Sequence, residues 1–161
     1  MSAQPGNVRD VVDVLIKRGQ TIAVAESLTG GLLAATLVEV PGVSRTFRGG
    51  LVVYATDLKA KLAGVDADLL AANGPVDPEV AAQLAHGAAA TCGADWGVGT
   101  TGVAGPDPQD GVSVGTVFVG VAGPQGYREV RGLRFDGDRA TIRAQAVSAA
   151  LALLAEGLDK G

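Results

Sequence analysis

The stretch TIAVAESLTGGLLAATLVEV, residues 21–40, decides the fold class of this chain. Residues 21–25 form a short apolar run rich in β-branched side chains, which predicts a buried strand. Residues 30–40 take up helical spacing, and Pro41 ends that helix because proline has no N–H group to continue it. A polar turn with two glycines joins the two segments. A strand that leads through such a turn into a helix is typical of α/β folds.

Strands and helices alternate along the rest of the chain. Helical spacing begins at Val8 and stops at Gly19, and further helices are predicted over 56–64, 66–72, 77–92 and 138–158. Further strands are predicted over 50–55, 94–102, 113–122 and 127–135. The last two strands flank the turn GPQG, which indicates an antiparallel hairpin. The sequence therefore predicts one domain over residues 1–161, a single-domain three-layer α/β/α sandwich with a mixed, mostly parallel sheet.

The composition indicates which kinds of partner and which cellular compartment to expect. The formal charge is −4 and there is no basic run, which argues against a nucleic-acid partner because duplex binding usually needs a basic face. A single cysteine excludes an internal disulfide and indicates a reducing compartment. No apolar run is long enough to span a membrane and the N-terminus lacks a signal core, so we expect a cytoplasmic protein without a membrane partner. The lone His86 and lone Cys92 exclude the usual His/Cys zinc site within one chain.

The turn AESLTGG, residues 25–31, is the first candidate site. It follows a strand and opens a helix, and ligands of open α/β sheets bind beyond the carboxyl ends of strands. Free N–H groups at a helix N-terminus attract anions, and two glycines would let a phosphate approach the backbone. The residues concerned are Glu26, Ser27, Thr29, Gly30 and Gly31. The alternative is that Ser27 or Thr29 only caps the helix.

A hydroxyl, a phenol and an amine surround the next predicted strand. These are Ser44, Tyr54 and Lys59. A serine needs a base to become a nucleophile, and His86 lies in the middle of an alanine-rich helix, which argues against a Ser-His-Asp triad. A lysine serves as the base instead if burial lowers its pKa. The alternative is that Lys59 is an ordinary solvated lysine and Tyr54 an ordinary strand residue.

Two later stretches carry weaker signals. Thr101 ends a strand and opens a glycine- and proline-rich loop that is too long for a simple hairpin, and such loops often carry binding residues. Arg139 and Arg143 are four residues apart on the last helix and share one face, which suits phosphate or carboxylate binding. The alternatives are a surface loop and a solvated helix face paired with nearby aspartates.

The order of these stretches resembles a known family. AESLTGG, PGVSRTFRGGLVVYATDLKAKLAGV, TGVAGPDPQDGVSVGTVFVGV and FDGDRATIRAQAVSAAL follow one another as in the CinA C-terminal domain family, whose enzymes are nicotinamide-nucleotide amidases (NMN deamidases). The resemblance covers about residues 7–156. It implies the stand-alone amidase form, no metal, no organic cofactor, and a homodimer.

The resemblance also implies an activity. Nicotinamide mononucleotide (NMN) and water would give nicotinic acid mononucleotide and ammonia, a step of NAD salvage. The implied catalytic residues are Ser44 as nucleophile, Tyr54, Lys59 as base and Thr101. The implied substrate-binding residues are Glu26, Ser27, Thr29, Gly30, Gly31, Gly102, Gly105, Arg139 and Arg143.

Specific roles and two alternatives follow. We expect Lys59 to take the proton of Ser44, directly or through Tyr54, and Thr101 with backbone N–H groups to stabilise the oxyanion. Arg139 or the helix start at Gly30–Gly31 would hold the phosphate. The alternatives are a non-enzymatic module linked to competence or DNA damage, and an amidase that acts on another pyridine carboxamide.

Overall fold

One five-stranded sheet organises the molecule. The computed structural model of the chain describes residues 7–160, so the ends of the predicted domain, residues 1–6 and 161, lie outside it. The strands are β1 (Ile22–Glu26), β2 (Phe47–Val52), β3 (Trp96–Gly102), β4 (Thr116–Ala122) and β5 (Arg128–Arg134). Their spatial order is β2-β1-β3-β4-β5.

The sheet is mixed, as the sequence predicts. Strand β1 pairs in parallel with both β2 and β3, whereas β4 pairs antiparallel with β3 and with β5. Four strands therefore point in one direction and only β4 runs against them. The predicted hairpin around GPQG is the β4–β5 pair. The carboxyl ends of β1, β2 and β3 meet at one edge of the sheet, which is where α/β folds place ligands.

Helices cover both faces of the sheet. They are α1 (Val8–Arg18), α2 (Leu32–Val38), α3 (Thr56–Ala63), α4 (Ala67–Asn73), α5 (Pro78–Cys92) and α6 (Arg139–Lys160). Large aliphatic side chains of α1, α2 and α6 form one buried cluster with the sheet, and side chains of α3, α4 and α5 form the other. The three-layer α/β/α sandwich is confirmed. Across residues 7–160, none of these helices combines the length and apolar character needed to cross a bilayer.

Helix α5 lies unusually close to the sheet because glycines face it. A Cβ atom on Gly99 would lie 2.7 Å from the carbonyl oxygen of Ala81, and one on Gly120 would lie 2.5 Å from the same oxygen. Any side chain at these strand positions would push the helix away. Helix α5 is capped at its N-terminus, where the Asp77 carboxylate accepts from the N–H groups of Glu79 and Val80.

Several element boundaries differ from the sequence prediction by up to three residues, and two of them lie near the turns that follow β1 and precede β2. Strand β2 begins at Phe47 rather than at residue 50, because Phe47 and Gly49 already pair with β1. Helix α2 begins at Leu32 rather than at residue 30, because Gly30 and Gly31 have φ values of +56° and +103° and belong to the turn. Strand β2 keeps six residues but lies three residues earlier in the chain than predicted, so Ser44 stands just before its amino end.

Candidate active site

A small polar cleft lies beyond the carboxyl ends of β1, β2 and β3. Its volume is about 90 Å³. Seven of the thirteen predicted site residues line it: Ser27, Tyr54, Lys59, Thr101, Gly102, Gly105 and Arg139. Its other lining residues are Leu28, Pro75, Val76, Val103, Ala104, Asp107 and Gln109. Turns after three different strands therefore converge on one place, as the fold class predicts.

Lys59 is a buried amine within this cleft. Only 1 % of its surface is exposed, although it belongs to the first turns of α3. Its Nζ donates to the carbonyl oxygens of Val53, at 2.9 Å, and Tyr54, at 3.1 Å. No carboxylate pairs with it among residues 7–160. Burial disfavours the charged form and lowers the pKa of Lys59 from 10.5 to about 8. The structure thus disagrees with the reading of Lys59 as a solvated lysine.

The two carbonyl bonds also orient the lysine nitrogen. A neutral amine carries two N–H bonds and one lone pair, and the two carbonyl oxygens are acceptors only. If both N–H bonds of neutral Lys59 are directed to Val53 and Tyr54, its lone pair is left free. A lone pair that is not engaged by the protein is what a proton acceptor requires.

Ser27 is the serine that shares the cleft with Lys59. It follows β1 directly, and its backbone N–H donates to the carbonyl oxygen of Thr100 at 3.1 Å. The side chain is 7 % exposed and lines the cleft. Within residues 7–160 its hydroxyl makes no hydrogen bond, whereas the neighbouring Thr29 hydroxyl is bonded to the Thr100 hydroxyl at 2.8 Å. Within the described residues, the Ser27 hydroxyl therefore has no hydrogen-bond partner, whereas that of Thr29 has one.

The structure does not bring Ser44 to this cleft. Ser44 is exposed in a 3₁₀ turn, Val43–Arg45, that precedes β2, whereas Tyr54 and Lys59 follow the same strand. A six-residue strand measures roughly 20 Å at about 3.3 Å per residue. Ser44 thus lies at the opposite edge of the sheet, too far for Lys59 of the same chain to take its proton. The structure therefore brings Ser27, and not Ser44, into the cleft with Lys59.

Glu26 fills the anion site that the sequence offers to phosphate. Its side chain is fully buried, and its two carboxylate oxygens accept from the backbone N–H groups of Gly31, Leu33 and Ala34 at 3.2, 2.9 and 2.9 Å. These are the N–H groups at the start of α2, which otherwise attract an anion. The expectation that the Gly30–Gly31 helix start holds a phosphate is therefore wrong, because a side chain of the protein already occupies it.

Arg143 supports the turn rather than the cleft. Its guanidinium donates to the carbonyl oxygens of Leu28 and Thr29 at 3.0 and 2.8 Å. These bonds tie α6 to the turn that carries Ser27. Arg143 does not line the cleft, so the structure assigns it to holding the turn in place rather than to a substrate phosphate.

Arg139 and Tyr54 meet at the mouth of the cleft. The Nη2 group of Arg139 donates to the Tyr54 hydroxyl at 2.9 Å, and Nη1 donates to the carbonyl oxygen of Gly105. Tyr54 is 58 % exposed. A guanidinium has five N–H donors, so these two bonds leave donors for an anionic ligand. Arg139 and Arg143 of α6 thus have different hydrogen-bond partners, and of the two only Arg139 reaches the cleft.

Thr101 lies at the cleft wall with its proton already engaged. The side chain is fully buried, and its hydroxyl donates to the carbonyl oxygen of Pro75 at 2.6 Å. A hydroxyl has one proton to donate. In this conformation Thr101 therefore does not supply the oxyanion donor expected of it. The backbone N–H group of Leu28, which lines the cleft directly after Ser27, makes no hydrogen bond within residues 7–160 and is the better candidate.

Comparison with known proteins identifies the family. The sequence model of the CinA C-terminal domain matches residues 7–158. The chain belongs to the CinA C-terminal domain family. It is 52 % identical over 144 residues to a CinA-like protein of Frankia casuarinae and 48 % identical over 147 residues to one of Anaeromyxobacter sp.. These matches cover 89 % of this chain but 33 % and 35 % of the two relatives, so the chain spans about a third of the length of the curated relatives it matches.

Solved CinA structures share the whole fold. A competence-damaged protein (CinA) superfamily protein from Klebsiella pneumoniae superimposes with a TM-score of 0.91 at 32 % identity, covering 99 % of this chain and 100 % of that one. A competence/damage inducible protein from Agrobacterium tumefaciens does so with a TM-score of 0.86 at 33 % identity, covering 99 % of each chain. The five-stranded sandwich around the cleft is therefore the CinA fold.

Sequence reasoning missed four polar or turn residues of this CinA cleft. Pro75 and Val76 belong to a segment interpreted only as a turn between helices, and no motif marks them. Asp107 and Gln109 lie in the glycine- and proline-rich loop after Gly105. That loop carried a general signal for binding residues, but its sequence does not show which side chains face the strand ends.

Proposed function

We propose that this CinA domain is an amidohydrolase that converts NMN and water to nicotinic acid mononucleotide and ammonia. The observation that carries the proposal is that the buried, unpaired amine of Lys59 and the free hydroxyl of Ser27 line the same cleft. A serine with a neutral lysine as its base is a recurring way to attack an amide. The family resemblance supplies the substrate, and the cleft supports the chemistry.

Lys59 acts as the general base. With its pKa lowered to about 8, roughly 10 % of Lys59 is neutral at pH 7, against about 0.03 % for an unshifted lysine. That is about a 300-fold larger population of the reactive form. The two carbonyl bonds hold the amine in place, so little reorganisation is needed when it accepts the proton.

The reaction proceeds through an acyl-enzyme. Ser27 Oγ attacks the carboxamide carbon while its proton passes to Lys59, and the carbonyl oxygen becomes an oxyanion near the N–H group of Leu28. Lys59 then gives the proton to the leaving nitrogen, the C–N bond breaks, and ammonia departs. A water molecule, deprotonated by the same amine, attacks the ester and releases the carboxylic acid, with the proton returned to Ser27. One water is consumed for each ammonia formed.

In the proposed complex the carboxamide of NMN lies inside the cleft and the phosphate lies at its mouth. A volume of about 90 Å³ corresponds to about three water molecules, which is room for a carboxamide and part of a ring. The ribose and phosphate then extend to the surface, where the free N–H donors of Arg139 bind the phosphate. Tyr54 accepts a hydrogen bond from Arg139 and keeps its own proton available to the substrate.

Two alanine variants test the proposal. Ammonia release from NMN is measured with the parent chain, with Ser27→Ala and with Ser44→Ala. We expect Ser27→Ala to lose activity by about 10³-fold or more, because the nucleophile is removed. Ser44→Ala should stay within about twofold of the parent, since it is an exposed residue at the other edge of the sheet. Loss of activity in Ser44→Ala with normal activity in Ser27→Ala would refute the assignment.

The same preparation discriminates the remaining alternatives. Free nicotinamide has the carboxamide but no phosphate for Arg139, so its kcat/KM should be far below that of NMN. If nicotinamide is the better substrate, the enzyme is an amidase of another pyridine carboxamide. If no amide is hydrolysed and the melting temperature rises with single-stranded DNA but not with NMN, the binding-module alternative is correct.

A further inference from the structure

Among residues 7–160, Asp107 is the one carboxylate that lines the cleft. The titratable lining residues are Tyr54, Lys59, Asp107 and Arg139. Glu26, the nearest acid of the chain to Ser27 in sequence, is buried beside the cleft with both oxygens bound to backbone N–H groups. Asp107 is exposed, and within residues 7–160 it has neither a hydrogen bond nor an ion pair. Within the described part of the chain, the structure therefore leaves one carboxylate without a bonded partner at the mouth of the cleft.

Positive and negative charge are both present at this mouth. Arg139 and Asp107 line the exposed part of the cleft, whereas Ser27 and Lys59 form its buried part. A pyridine ligand whose carboxamide reaches Ser27 therefore has its ring between the buried part of the cleft and the exposed part. Arg139 alone would favour any anionic ligand and would repel a cation. A carboxylate beside it makes the mouth complementary to a ligand that carries one charge of each sign.

We propose that Asp107 selects substrates whose pyridine ring is positively charged. This inference rests on the proposed function and adds to it the residue that recognises the charge of the pyridinium ring. In NMN the positive charge lies on the ring nitrogen, which one ring carbon separates from the carbon that carries the carboxamide. The phosphate bears the negative charge. Arg139 binds the phosphate, and Asp107 attracts the pyridinium through space.

The 1,4-dihydro form of NMN isolates the ring charge. It keeps the carboxamide, ribose and phosphate, but its ring is neutral. Binding of NMN and of dihydro-NMN is measured by calorimetry on Ser27→Ala protein, in which turnover is blocked. The same background carries Asp107→Asn or, as the matched control, Asp110→Asn. Asp110 belongs to the same loop, does not line the cleft, and has a φ of +49°, which asparagine tolerates well.

We expect Asp107→Asn to raise the Kd for NMN by about 2- to 5-fold, a size typical of an exposed charge pair. The Kd for dihydro-NMN should change by less than about twofold, because no ring charge is present to lose its partner. Asp110→Asn should leave both values within about twofold. Raising the salt from 0.05 to 0.5 M should shrink the effect of Asp107→Asn on NMN, since an exposed pair is screened.

The outcomes separate this inference from the proposed function. Three results would overturn the role of Asp107 and leave hydrolysis of NMN by the parent chain untouched. Asp107→Asn could weaken the binding of both ligands equally or of neither, or Asp110→Asn could weaken the binding of NMN as much as Asp107→Asn does. A parent chain that neither hydrolyses nor binds NMN overturns the proposed function and this inference together.

Discussion

Titration of Lys59 gives the sharpest test of the catalytic base. The neutral amine is the active form, so kcat/KM for NMN should rise with pH and level off once Lys59 is deprotonated. With a pKa of about 8, the neutral fraction is about 1 % at pH 6, 10 % at pH 7, 50 % at pH 8 and 90 % at pH 9. Activity should therefore rise about tenfold per pH unit up to pH 7 and reach half its plateau near pH 8. An unshifted lysine would keep the rise going beyond pH 10.

Two substitutions connect the pH profile to this residue. Lysine and arginine both carry a cation, but arginine does not lose its proton at these pH values, so Lys59→Arg should lower kcat/KM by about 10²- to 10⁴-fold at every pH. The control is Lys61→Met on the same helix. Lys61 is exposed and pairs with Asp57 at 3.2 Å, and its removal should leave both the plateau and the midpoint near pH 8 unchanged.

The assay is the initial rate of ammonia release at NMN concentrations well below KM, from pH 6 to 10 in buffers of constant ionic strength. A flat profile between pH 6 and 9 would refute the assignment of Lys59 as the base. So would a Lys59→Arg variant with the activity of the parent chain. A midpoint near pH 10 would show that burial does not lower the pKa of this amine, and the reasoning from its environment would fail.

Two further substitutions probe the turn and the mouth of the cleft. Glu26→Gln should lower the free energy of unfolding by about 2–4 kcal/mol, measured by urea unfolding. One buried N–H group of α2 would then face the NH₂ group of the new amide, which cannot accept its hydrogen bond, and the remaining bonds would no longer have a charged acceptor. Glu39→Gln, an exposed change at the other end of α2, is its control and should shift stability by less than about 0.5 kcal/mol. Arg139→Met should raise the KM for NMN about tenfold or more with a smaller change in kcat. Its control is Arg134→Met, an exposed change on β5 that should leave the KM unchanged. An unchanged KM in Arg139→Met would exclude phosphate binding by this residue.

The fold followed from local patterns in the sequence. Buried strands are short β-branched runs, helices end at glycines or prolines, and α5 begins with Asp77 and Pro78, two residue types typical of a helix N-terminus. These signals act between neighbours in the chain, so one sequence is enough to detect them. The hairpin β4–β5 and the three-layer arrangement were predicted for the same reason.

The candidate site was predicted less completely. Tyr54, Lys59 and Arg139 were placed in it, and they do line one cleft. The prediction of Ser44 erred because ten residues between a serine and a tyrosine look close in sequence, while a strand of six residues separates them in space. The sequence contained the signal for a better choice, since Ser27 follows a parallel strand as Lys59 does, and the carboxyl ends of parallel strands share an edge.

The sequence by itself determined the α/β class, the elements and the residue types around the cleft. Only the tertiary structure decided which of those residues meet and which are already engaged. Glu26, Thr101 and Arg143 resembled ligand-binding groups, but each is bonded to the backbone of a distant or neighbouring segment. The physical reason is that secondary structure depends on interactions a few residues apart, whereas the partner of a polar side chain and the pKa of a buried amine depend on atoms that only folding brings together.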